Sequence, residues 1–351
     1  MKFLCVLTVL VNCFFLSTAR SADSSKVKPT IVTDTVYEDS DDPAIWINFK
    51  HPKKSMVLGT DKDNENGGIY AFDLAGKNIA SKTKTGMKRV NNIDIAYALN
   101  AGNKKIDIAV ATERGRNMLR VLSLPSMDFV DDGGIPVFAS DSARSPMGIA
   151  LYTRPSDHAI FAIVSRKTGP SENYLEEYEL LVNQQGIVEG KLVRKFGNFS
   201  GIKEIESIAV DNELGYVYYS DEQFGIRKYY ADPDKGNEEL AVFGSGDYKE
   251  DNEGISIYKT GPGTGYILVS DQSANLFHVY IREGEPGNQN SHKKICSIPV
   301  STDQSDGSDV VSISLPGFEG GMFVAMSTNK TFQFYKWADL ARICNLKIAV
   351  H

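Results

Sequence analysis

Ser55-Met56-Val57-Leu58-Gly59-Thr60-Asp61-Lys62-Asp63-Asn64-Glu65-Asn66-Gly67-Gly68-Ile69-Tyr70-Ala71-Phe72-Asp73-Leu74 holds two apolar alternating runs around a short polar break, the pattern of a β-hairpin. Similar hairpins recur at residues 105–124, 158–180, 215–231, 265–283 and 320–337. A short strand pattern precedes each one, at 42–47, 92–97, 147–152, 206–212, 253–258 and 309–315. A further apolar stretch follows each of the first five, as at 191–196 and 294–299. Four strands in a unit of roughly 50 residues is the period of a β-propeller blade.

One blade cannot bury both of its faces without neighbours, so the repeats are expected to form one all-β, six-bladed β-propeller over residues 29–342. The sixth unit lacks its fourth strand. A spare strand at 29–37 precedes the first blade, and pairing it with the last would close the ring and remove an exposed edge. A helix-like stretch at 338–343 and a tail over 343–351 follow.

Lys2, the apolar run 3–16 and the small residues around Ala19-Arg20-Ser21-Ala22 have the layout of a secretory signal peptide over residues 1–21. Residues 22–28 are expected to be an unstructured leader, and the mature chain a soluble, extracellular monomer that engages no membrane. Asn198-Phe199-Ser200 and Asn329-Lys330-Thr331 are N-glycosylation sequons in keeping with that route. Cys296 and Cys344 remain after Cys5 and Cys13 leave with the signal. The sequence leaves open whether they form a disulfide. The formal charge of −7 becomes −9 once Lys2 and Arg20 are removed, 36 basic against 45 acidic side chains. That balance, without a long basic run, argues against nucleic acid and suits a protein that gathers hard cations.

Blade alignment assigns residues to the central axis. The first strands open on Asp42, Asn92, Met147, Glu206, Glu253 and Asp309, four of them acids. Crowded carboxylates repel unless a cation neutralises them. The second strands end in the triplets Thr60-Asp61-Lys62, Thr112-Glu113-Arg114, Ser165-Arg166-Lys167, Ser220-Asp221-Glu222, Ser270-Asp271-Gln272 and Met326-Ser327-Thr328. Three consecutive blades thus end in Lys62, Arg114 and Lys167, and the next in Glu222. Oxygen ligands suit Ca²⁺, and Lys and Arg grip phosphate, so a basic arc facing an acidic arc fits a phosphate ester attacked by a metal-activated water. Gly-Xaa-Ser-Xaa-Gly and His-Glu-Xaa-Xaa-His motifs are absent. The acid-rich run Asp303-Gln304-Ser305-Asp306-Gly307-Ser308-Asp309 has the composition of a calcium loop without EF-hand spacing. Trp46 and Trp337 are expected in the packing between blades.

These residues resemble the β-propeller phytases, an alkaline, calcium-dependent family. Asp39-Ser40-Asp41-Asp42-Pro43-Ala44-Ile45-Trp46 is similar to that family's opening DxDDPAIW signature. Asn91-Asn92-Ile93-Asp94, Asp251-Asn252-Glu253-Gly254 and Ser305-Asp306-Gly307-Ser308-Asp309 resemble three further motifs, in order, over about residues 36–342. The resemblance implies removal of phosphate from phytate with several Ca²⁺ ions at the channel mouth. Carried onto matching positions, it makes Asp41, Asp42, Glu206, Glu222, Asp251, Glu253 and Asp309 ligands of calcium or of its water. Lys62 and Arg114 would hold the phosphate being cleaved, and Lys167 a neighbouring one; Lys62, Arg114 and Glu222 form the catalytic set. Met147 stands where the family has a phosphate-contacting Tyr. Thr168, Ala96, Ser207 and Met326-Ser327 also depart from its pattern, so the second phosphate pocket is expected to differ.

The expected activity is that of a secreted, calcium-dependent phosphomonoesterase of phytase type. One alternative is a calcium- and polyanion-binding propeller that has lost turnover. Another is a propeller enzyme acting on a lactone or organophosphate, for which the Lys/Arg arc would be superfluous.

Overall fold

The computed structural model describes residues 26–142 and 144–350. The expected signal peptide, and residues 22–25 of the leader, lie outside them. The rest of the leader is not loose. Val27 is buried, and its backbone bridges blade 5 through Val27 N–H to Pro299 O (2.9 Å) and Ser301 N–H to Val27 O (3.1 Å).

Six antiparallel sheets occur among the described residues, in chain order. Blade 1 comprises Ser40–Trp46, Met56–Asp61, Gly67–Phe72 and Lys84–Met87. Blade 2 is built on Val90–Ala101, Lys104–Glu113, Met118–Leu124 and Ile135–Pro136, with Asp128–Phe129 as an extra edge. Blade 3 holds Pro146–Thr153, Ile160–Arg166, Glu172–Val182 and Val188–Asn198. Blade 4 holds Ile208–Asp211, Tyr216–Asp221, Gly225–Tyr230 and Ala241–Phe243, and blade 5 holds Asn252–Gly261, Thr264–Asp271, Leu276–Ile281 and Lys294–Pro299. Blade 6 takes Ser308–Val311, Met322–Ser327 and Thr331–Lys336 from the end of the chain and Ile31–Val32 from its beginning. Ile31 pairs with Phe334 and Val32 with Gln333, Thr30 and Thr33 add backbone bonds of 2.8 and 3.0 Å to the same strand, and Val36 N–H donates to Lys330 O just before it (2.9 Å). The ring is therefore closed as the missing fourth strand requires.

Alternation within the strands leaves each sheet with two apolar faces, and each face meets the next blade. Six buried clusters result, one per interface. Trp46 packs with Leu58, Ile93 and Leu122 between blades 1 and 2, and its indole N–H donates to Asp107 (3.0 Å). Trp337 lies between blades 5 and 6, stacked on Tyr258 with ring centroids 3.7 Å apart. Each fully buried side chain of this size stabilises the ring by about 1.5–3 kcal/mol.

Hydroxyls pin the blades at the axis. Thr112, Ser165, Ser220 and Ser270 donate to the carbonyls of Met147, Ile205, Glu253 and Ser305 in the following blade, at 2.6–2.7 Å. Met326 occupies the same place in blade 6 and has no hydroxyl to donate. After the helix Trp337–Cys344 the chain packs back on blade 5, where the N–H groups of Lys347 and Ala349 donate to the Tyr266 and Tyr258 hydroxyls (2.9 and 2.8 Å), and Cys344 is joined to Cys296 of blade 5 by a disulfide, Cα–Cα 6.2 Å.

Candidate active site at the channel mouth

The residue that follows the second strand plays one structural part in all six blades. The N–H groups of Lys62, Arg114, Lys167, Glu222, Gln272 and Thr328 donate to the carbonyls of Asp39, Arg89, Ser145, Glu204, Asp251 and Asp303, at 2.8–3.2 Å. Each bond ties the strand end to the loop entering its own blade and aims the side chain at the mouth. The middle triplet residue anchors that same loop. Asp61, for example, accepts from the N–H groups of Glu38 and Asp39, and Asp221 from that of Ser200.

The first strands differ from the sequence alignment. Bulges lie between Ser40 and Pro43, Val90 and Ile93, Pro146 and Ile149, and Asn252 and Ile255. Pairing beyond them makes Pro43, Ile93, Ile149, Ile208, Ile255 and Ser308 equivalent, opposite Gly59, Ala111, Val164, Tyr219, Val269 and Ala325. Counting two residues back gives the upper ring: Asp41, Asn91, Met147, Glu206, Glu253 and Asp306. The expected alignment thus slips by one residue in blades 1 and 2 and by three in blade 6. Blades 1 and 2 slip across a bulge, which sets two residues of the first strand opposite one of the second, whereas in blade 6 the strand begins only at Ser308 and the acid-rich run before it is not strand.

Asp42 and Asp309, expected as metal ligands, stand one and three residues past the ring positions in this register. They line the channel below the ring, a cavity of about 300 Å³. Their carboxylates bind the next blade: Asp42 accepts from Ile93 N–H (3.1 Å) and Asp309 from Ile45 N–H (2.7 Å). Asp94 makes the same link to Leu151 N–H at 2.7 Å. Gly307 is required here, because a Cβ would lie 2.2 Å from Asp42 Oδ1.

At the ring itself acids and bases meet. Asn91 Nδ2 donates to Asp41 (3.3 Å) and Glu206 (3.1 Å), joining blades 1 and 4 across the axis. Lys62 Nζ lies 2.7 Å from both Asp41 and Asp306. Burial opposes the Lys62 charge, but these two acids outweigh it and raise its pKa. Burial raises Asp41 to about 6 and Glu222 to about 8, and pushes Glu206 and Glu253 well above the usual carboxylate range. Burial lowers the pKa of Arg114, with Arg89 adding to the effect, while Glu206, Glu204 and Asp41 oppose it. No ion pair or hydrogen bond engages the Arg114 guanidinium among the described residues.

Two carboxylate triads converge here, Glu204–Glu206–Glu222 and Glu222–Asp251–Glu253, with oxygens within 4.8 Å of one another in each. Glu222 belongs to both. Both of its oxygens, and Glu253 Oε2, are buried without an aligned hydrogen bond, although Lys203 Nζ stands 2.8 Å from Glu222 Oε2. Hard acceptors gathered at this spacing, and only partly satisfied from within the protein, fit a divalent cation. Of the expected ligands, Glu206, Glu222, Asp251 and Glu253 meet in the triads, and Asp41 reaches Glu206 through Asn91. Lys167 sits nearby, paired with Glu204.

Sequence reasoning did not select Glu204, Lys203, Asn91 or Asp306. Lys203 Nζ bridges Glu222 (2.8 Å) and Asp251 (2.6 Å), and Gln223 also donates to Asp251. Glu204 has a weak signal, two residues before Glu206 and so on the same side of an extended chain. Asp306 lies in the acid-rich run that composition had marked.

Clustered acids beside a free guanidinium at the axis of a propeller are the equipment of a phosphoric monoester hydrolase. The family model for phytases matches residues 4–343, and the chain belongs to the β-propeller phytase family. It is 30% identical over 328 residues to the 3-phytase of Bacillus subtilis (strain 168), covering 86% of this chain and 80% of that one. Among solved structures, a chain of the mitotic checkpoint complex aligns over 95% of this chain and 98% of its own, with a TM-score of 0.48 and 8% identity. The Dos1 propeller aligns over 85% and 68%, with a TM-score of 0.44 and 12% identity.

Proposed function

We propose that this protein is a secreted, calcium-dependent phosphomonoesterase that releases phosphate from phytate or a closely related phosphate ester. The observation that carries the reading is the pair of triads sharing Glu222 beside Lys62 and the unpartnered Arg114. Glu204, Glu206, Glu222, Asp251 and Glu253 would hold the cations. Bound there, Ca²⁺ would supply charge neutralisation and Lewis acidity toward a phosphate oxygen and a water. Arg114, with no ion pair or hydrogen bond to its guanidinium among the described residues, is free to grip phosphate oxygens through its planar fork. Lys62, held by Asp41 and Asp306, places a fixed positive charge beside the same phosphoryl group and offsets charge that builds up as the ester bond breaks. Asn91 keeps Asp41 and Glu206 in register.

Met147 puts a thioether in the upper ring between Asn91 and Glu206, so that ring position offers no hydrogen bond to a second phosphate, and Lys167, paired with Glu204, is the group of this sector that would meet one. Substrate is therefore held mainly from the Lys62–Arg114 side. The signal peptide and sequons support export and glycosylation. The decisive test measures phosphate release from calcium phytate at neutral to mildly alkaline pH, with and without chelator, on wild type and R114A. Release that needs calcium and Arg114 supports the reading. Phytate binding without release marks the polyanion-binding alternative, and no binding defeats both.

A further inference from the structure

Lys203 stands inside the carboxylate cluster without belonging to the arc of bases at the strand ends. It lies in the loop from Asn198 of blade 3 to Ile208 of blade 4, next to the exposed Ile202 and to Gly201 at φ +76°. Its ammonium contacts one carboxylate from blade 4, Glu222, and one from the loop entering blade 5, Asp251. Both belong to the second triad, whose third member, Glu253, has no ion pair among the described residues. The contact with Glu222 is a charge pair without an aligned hydrogen bond, since both Glu222 oxygens lack a donor.

We propose that Lys203 is an internal competitor for the divalent cation at the Glu222–Asp251–Glu253 triad. This inference rests on the metal-dependent reading above. An ammonium and a divalent ion cannot share the same carboxylate oxygens at contact distance, because both are cations drawn to one negative field. The lysine is a point charge on a flexible four-carbon stem. Its side chain is 36% exposed, so it can swing outward without crossing packed structure. In the metal-free protein it compensates part of the buried negative charge. On metal entry it gives up two oxygens, which weakens metal affinity at this triad. Lys203 is thus a positioning residue that sets the calcium concentration at which the site fills, and it touches no substrate.

The test titrates calcium alone into wild type, K203M and K203R, following heat by calorimetry and melting temperature against free calcium. K203M keeps the stem and loses the charge, so its calcium midpoint should fall roughly tenfold, the value of one charge-assisted contact. K203R keeps the charge and should retain a weak midpoint. K203Q supplies the same comparison should K203M fail to fold. An unchanged or weaker midpoint in the neutral variants, with wild type binding calcium, overturns the Lys203 inference and leaves the proposed function standing. Absence of calcium binding in every form overturns both.

Discussion

Glu222→Gln removes the ionisable carboxyl from a side chain with no exposed surface that both triads share. Burial moves its pKa from 4.5 to about 8, against the pull of Lys203. The unfolded chain therefore ionises near the lower value, while the folded protein keeps the proton until the higher one. Stability from this group is intact below the unfolded pKa and is lost as pH rises toward the folded one. At pH 7 about 2.5 units of that interval have been crossed, a cost of about 3 kcal/mol at 1.36 kcal/mol per unit. Gln has the same shape and no charge to desolvate, so the metal-free variant is the more stable protein. Roughly 2 °C of melting temperature per kcal/mol in a chain of this size gives an expected rise of about 4–6 °C. Excess calcium should reverse the order, because the variant has lost the oxygen charge that joins the two triads. Phosphate release should fall by about two orders of magnitude or more. Scanning calorimetry at pH 7, in chelator and in calcium, reads the crossover. A variant that melts below wild type in chelator would show that Lys203 already satisfies Glu222, and the reasoning would fail.

Further outcomes follow from other parts of the molecule. Burial raises Asp41, Glu206, Glu222 and Glu253 together, so metal-free protein should lose melting temperature steadily from pH 5 to pH 8, and calcium should flatten that slope. A melt in chelator that climbs over this range would contradict the cluster. Arg114→Ala should cut phosphate release about a hundredfold with the melting temperature unchanged, and Arg114→Lys should recover only part of it, read as initial rates. Asp94→Ala should cost about 1–3 kcal/mol in urea unfolding by orphaning Leu151 N–H between blades 2 and 3, with calcium binding intact. The disulfide closes a segment of 48 residues, and Cys344→Ser should destabilise by up to about 4 kcal/mol, measured against wild type without reductant.

How much the sequence disclosed depended on periodicity. Hairpins repeat a pattern that burial on two faces imposes, so blade number and ring closure could be read directly. Lys62, Arg114, Lys167 and Glu222 were placed correctly at equivalent strand ends because the triplets follow the regular second strand without interruption. The first strands of blades 1 and 2 open with a bulge, which sets the alignment off by one, and blade 6 carries its acids in an irregular run ahead of the strand. That is why Asp42 and Asp309 were set at the mouth, and why Asp306 was passed over although its run of acids had been noticed. Lys203 and Glu204 sit in a loop that has no period to align. The resemblance to phytases brought in Asp41 and Asp251, which the blade alignment alone did not select.

The strand Ile31–Val32 is synthesised before every other blade element, yet its partner Thr331–Lys336 emerges some three hundred residues later. Until then blade 6 has no outer strand, and the emerging protein carries a raw edge at each end. Truncation anywhere short of that partner leaves the clasp without its catch. Completeness of the polypeptide is thereby tested by the architecture itself.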